Sequence, residues 1–115
     1  MSNIRSITIL ASEDADFLHA ILQGYLISSY EIESDDGTIH NKALIIPPLQ
    51  KKLYIKGISY TGFELQVLDI VLDWFLGMNL VYRMPLADRA PTLEKARRLL
   101  VAVQTSLEDN RPRAR

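Results

Sequence analysis

Few residues of this chain have types and spacing suited to chemistry. His19 and His40 are its two histidines. A zinc site takes three or four ligands, so carboxylates would have to complete one around them. Their separation matches no ligand spacing, and both are expected as surface or hydrogen-bonded side chains. Asp69 and Asp73 stand one helical turn apart. Paired carboxylates do acid–base work when burial separates their pKa values, whereas on a narrow polar stripe they are the wetted edge of a helix, which is the expected state of this pair. Glu64 projects towards an apolar flank, where a capping role accounts for it; a buried proton donor is the sharper alternative.

The remaining reaction classes lack parts. Ser28 and Ser29 have no G-x-S-x-G elbow around them. The five glycines are isolated and form no phosphate-cradling loop. No cysteine is present, which removes disulfides, thiolate nucleophiles and Cys-based zinc sites. No metal and no cofactor is expected, and a small enzyme built on Asp69, Asp73 or His19 would need a pocket in which they converge.

Two sets of charges are better suited to binding. Glu31, Glu33, Asp35 and Asp36 cluster around a turn. They lack the register of a calcium loop, so the expected alternatives are a solvated hairpin tip and an acidic face for a basic partner. Lys51, Lys52 and Lys56 lie on one segment, and Lys95, Arg97 and Arg98 on another, followed by Arg111 and the arginines beyond it. Together they could track a phosphate backbone. Residues 1–50 hold two basic side chains against seven acidic ones, and residues 51–115 hold eleven against seven. The overall charge of −1 is below the usual footprint of a dedicated nucleic-acid binder.

These groups must be positioned by a small fold. At 115 residues, 48% hydrophobic and 23% charged, the chain has enough apolar surface for one core and too much for wholesale disorder. Ile7 and Ile9 alternate with Ser6 and Thr8 as in a half-buried strand over Ile4–Leu10. Ser12 reads as an N-cap, and Phe17, Leu18, Ile21, Leu22 and Tyr25 share one face of the helix it opens. Ser34-Asp35-Asp36-Gly37 is a turn between extended segments, Tyr30–Glu33 and Thr38–Ile46. Pro47-Pro48 closes the second of these, since proline donates nothing to a ladder. Leu53–Tyr60 is expected as a strand, and so is Asn79–Met84.

Thr61-Gly62-Phe63-Glu64 fits a capping box. It opens a helix running to about Leu76, with Gly77 as its stop. Gln66, Asp69 and Asp73 fall in one narrow arc and nearly every other position is apolar, so this helix must be covered on more than one side. The last helix, opening at Pro91 or Thr92, offers Leu93, Ala96, Leu99, Leu100, Val103 and Leu107 as the nearest cover. Failing that, a second subunit or a partner would be needed.

The order of elements predicts an α+β fold: a small mixed or antiparallel sheet with helices on one face, in ferredoxin-like β-α-β-β-α-β order plus a C-terminal helix. Residues 1–110 form one domain and residues 111–115 a disordered basic tail. The N-terminus lacks the apolar core of a signal peptide. Polar residues interrupt the stretch Phe63–Tyr82 too often for a membrane span, so a soluble cytoplasmic protein is expected. The function expected is a non-catalytic protein-interaction module: an inhibitor, an immunity-type protein or an accessory subunit. It would act as a homodimer or bound to a larger protein through Glu31, Glu33, Asp35 and Asp36. The alternative is a nucleic-acid-associated protein using Lys51, Lys52, Lys56, Arg97, Arg98 and Arg111.

Overall fold

The computed structural model describes residues 12–55 and 58–109. Their order is α1 (Ser12–Leu26), β1 (Ile32–Glu33), β2 (Ile39–His40), α2 (Lys42–Lys52), α3 (Gly62–Gly77), a 3-10 turn (Leu80–Arg83) and α4 (Leu86–Asp109). The strands form one antiparallel pair. The α+β, ferredoxin-like expectation is therefore wrong: among the described residues four helices make the fold, and two strands of two residues each cannot serve as a layer for them. The expected strand at Ile4–Leu10 and the tail 111–115 lie outside the described residues. Among the described residues no helix is long and apolar enough to cross a membrane.

Helix α3 carries the core. Thr61 caps it through a complete capping box: its Oγ1 accepts from the Glu64 amide, and the Glu64 carboxylate accepts from the Thr61 amide. Leu65, Val67, Leu68, Val71 and Leu72 are each 0% exposed, and burying such side chains is worth about 1.5–3 kcal/mol apiece. The chain itself supplies the two-sided cover this helix requires. Helix α4 packs along one side with Ala96, Leu99 and Val103 buried, and α1 along the other with Leu18, Leu22 and Tyr25. An enclosed α3 no longer calls for a second subunit.

Three expected strands are something else, each for a local reason. Ala43-Leu44-Ile45-Ile46 begins α2, because Asn41 turns the chain and its side chain accepts from the Ala43 amide at 3.0 Å. Ile46, Leu49 and Leu53 then fall on one buried face at helical spacing. Pro47 and Pro48 sit inside this helix; the amides they lack would have bonded the carbonyls of Ala43 and Leu44, and both of those residues are exposed, so water can replace the missing donors. Of the expected strand Leu53–Tyr60, residues 53–55 unwind from α2 through successive turns, with the Tyr54 amide on the Lys51 carbonyl and that of Ile55 on Lys52, while residues 56 and 57 lie outside the described residues. Asn79–Met84 is the 3-10 turn. The reversal after α3 falls on Asn79, at φ 54°, and not on Gly77; asparagine is the residue that most readily replaces glycine in left-handed geometry.

Helix α4 starts at Leu86, one and a half turns before the expected Pro91, which it contains. Arg89 explains the early start. Its guanidinium donates to the carbonyls of Met84 and Tyr82 at 3.2 and 3.0 Å and ties the new helix to the 3-10 turn before it.

The Thr61 cap is exposed, so its removal reports the cap and little else. Thr61→Ala is expected to lower unfolding free energy in urea by about 1 kcal/mol, with Thr61→Ser close to the parent. Leu68→Ala, inside the α3 core, is expected to cost about 2–5 kcal/mol in the same measurement.

Candidate functional site

The carboxyl end of α1 leaves carbonyls without helical partners, and its last turn has no basic residue. Lys42, the first residue of α2, supplies the cation: its Nζ donates to the carbonyls of Ser28 at 2.7 Å and Tyr25 at 3.1 Å, and stands 5.3 Å from the Tyr25 ring centroid. A positive charge at this end also suits the helix dipole. Tyr25, 3% exposed, donates its hydroxyl to the Glu31 carbonyl. Burial, then the charge of Glu31, then Tyr30, push its phenol above the ordinary range. Lys42 and Tyr25 thus fix where the hairpin leaves α1.

The hairpin pairs Ile32 with His40 and Glu33 with Ile39. Its turn uses Gly37 at φ 85°, a conformation that side chains resist. Asp36 accepts from the Ser34 hydroxyl at 2.6 Å and from the Thr38 amide at 3.0 Å. The Ser34 bond first, and Thr38 second, lower its carboxyl to about 2. His40 Nε2 lies 3.2 Å from Ser34 Oγ. Because the single hydroxyl proton of Ser34 goes to Asp36, His40 must donate here. Serine, histidine and aspartate meet, but the serine proton faces the carboxylate instead of the imidazole. The base on the hydroxyl is a carboxylate held at about 2, too weak to activate it, and the order of the three groups is not that of a Ser-His-Asp triad. Sequence reasoning missed the trio, although the turn at Ser34–Gly37 had been placed and pairing across it brings His40 back towards Ser34.

The four acidic residues fare differently. Asp36 is used by the turn, and Asp35 accepts from Gln66 Nε2 of α3 at 3.0 Å. Glu31 and Glu33 are exposed and make no side-chain hydrogen bond or ion pair among the described residues. Beside them is an open cavity of about 470 Å³ lined by Leu26, Glu31, Ile39, His40, Asn41, Lys42 and Ala43. Of its lining, Ile39 is 54% exposed, and Leu44, next in the chain after Ala43, is 72% exposed. His40 is backed by the Phe63 ring, 4.7 Å away between centroids.

The basic set does not converge in the same way. Lys52 is paired with Glu64 at 2.6 Å, and Arg98 with the buried Asp14 at 2.9 Å. Lys51 and Arg97 are exposed on α2 and α4, while Lys56 and Arg111 lie outside the described residues. Asp69 accepts from Gln104 Nε2, Asp73 is exposed, and neither lines the cavity. His19 stands near Tyr54, 6.0 Å between ring centroids. Among the described residues no group of three or more histidines and carboxylates could hold a metal ion.

The Asp36 carboxyl lies below its ordinary 3.8 in the folded chain, so its contribution to the turn is complete above about 4 and is lost as pH falls towards about 2. A carbon-detected NMR titration is expected to give Asp36 a midpoint of about 2. In Ser34→Ala, which removes the larger cause, the midpoint should rise towards the ordinary value.

No protein-family model matches the chain. No curated protein and no solved structure matches it either.

Proposed function

We propose that this chain is a non-catalytic protein-interaction module that engages its partner through the hairpin corner. One observation carries the reading: Glu31 and Glu33 are exposed and make no ion pair among the described residues, and Glu31 and the exposed Ile39 line an open cavity, while the frame beneath is held by Lys42 and Tyr25. Exposed apolar side chains next to unpaired carboxylates suit a surface that presents basic groups around an apolar contact. A symmetric pairing of two copies through this corner would set Glu31 and Glu33 against their own duplicates, so a different protein is favoured over a homodimer. The absence of cysteine fits a reducing compartment such as the cytoplasm. The nucleic-acid reading loses weight because Lys52 and Arg98 already neutralise Glu64 and Asp14.

A photo-crosslinking side chain placed at position 39 tests this in cells. The expected result is one discrete heteromeric adduct that weakens with Glu31→Lys and Glu33→Lys together. The same crosslinker at position 101, where Val101 is 61% exposed on α4, is expected to give none. No adduct at 39, or equal labelling at both positions, would count against the proposal. Light scattering of the purified chain should give a monomer at micromolar concentration, and a dimer broken by Ile39→Asp would favour self-association instead.

A further inference from the structure

We propose that Met78 is a reversible oxidation site whose sulfoxide is held in place by Tyr30. Met78 follows the last turn of α3, where its amide donates to the Trp74 carbonyl at 2.9 Å. Its side chain is well placed for attack, with the residue 46% exposed. Met84, the other methionine among the described residues, is less exposed. The Tyr30 hydroxyl donates to the Met78 sulfur at 3.5 Å, so a neutral donor already points at the atom that would change.

The oxidant is a hydroperoxide, hydrogen peroxide in the simplest case. A sulfur lone pair attacks one peroxide oxygen, the S–O bond forms and the O–O bond breaks. Sulfur loses two electrons and the peroxide gains them. The proton on the transferred oxygen passes through solvent to the departing hydroxide, which leaves as water. The product is a strong acceptor where a weak one stood.

The existing separation suits that product. An S–O bond of about 1.5 Å and an O–H···O distance of about 2.7 Å span the observed 3.5 Å with an angle of about 110° at the sulfoxide oxygen. The bond can therefore form with neither residue displaced. Oxidation commonly disrupts a structure because it makes a buried side chain polar; here both partners are close to half exposed, Tyr30 at 47%, so no core is opened. The Tyr30 ring stacks on Tyr25 at 6.4 Å and 26°, and Tyr25 holds the Glu31 carbonyl. A firmer Tyr30–Met78 contact would strap the end of α3 to the start of the hairpin.

Peptide mapping by mass spectrometry after graded hydrogen peroxide, paired with thermal melts of the same samples, tests the proposal. Met78 is expected to gain one oxygen before Met84. The oxidised protein should melt about 3 °C higher than the reduced one, as replacing a weak sulfur acceptor by a strong oxygen one implies, and methionine sulfoxide reductase should reverse both changes. The gain in melting temperature should be absent from Tyr30→Phe and from Met78→Leu. Both changes are at exposed positions, and the melts of the reduced variants verify that they fold. Earlier oxidation of Met84, an oxidised parent that melts no higher than the reduced one, or a gain that survives Tyr30→Phe would each overturn it.

Discussion

Burial of α3 is the constraint on which the rest of the structure depends. A helix with apolar side chains over most of its circumference has to be enclosed, and a chain of this length has only its other helices to do it. Helices α1 and α4 take the two sides. That leaves the segment between α1 and α2 little core to contribute to. Ile32 is buried, but the strands stop after two residues each, and what remains of the hairpin touches α3 from outside through Asp35–Gln66 and His40–Phe63. Its exposed side chains follow from the demand that α3 makes on the other elements.

Electrostatics sorts the charged residues in the same way. Lys52 and Arg98 are drawn into pairs that brace α2 against α3 and α4 against α1. Lys42 is spent on the end of α1, and Asp35 and Asp36 on the hairpin's own attachments. Pairs of this kind contribute little net stability individually, because desolvation offsets attraction, but each one settles where a segment lies. At the corner, Glu31 and Glu33 are the carboxylates left without such work among the described residues, which gives the surface its chemical character.

Much of this was legible locally, and little of it globally. The capping box at Thr61, the buried face of α3 and the apolar stripe of α4 are short-range patterns set by helical periodicity, and they stand as expected. The failures cluster where a run of apolar residues is too short to show a period. Ala43–Ile46 fits a strand or a helix equally well, and two prolines next to it argued for the strand; only the cap from Asn41 and the spacing of Ile46, Leu49 and Leu53 point the other way. The early start of α4 depends on Arg89 reaching two carbonyls, a contact no sequence window contains. The acidic cluster was visible as composition. Which of its members stay unpaired depends on Gln66 and Ser34, and so on tertiary placement.

The two prolines inside α2 bear on how this molecule comes apart. A helix of eleven residues that lacks two of its internal hydrogen bonds belongs among the weaker cooperative units of a small protein, the ones that open without global unfolding. Gln50 ties α2 to α1 through the His19 carbonyl and Gln23, and Lys42 ties the beginning of α2 to the end of α1. When α2 frays, both ties are released, and the hairpin corner loses its frame while the α3–α4 core stays closed. Amide exchange would then divide the chain into a fast-opening α2 and hairpin and a slow α3–α4 unit. The surface with unpaired charge would belong to the softer half.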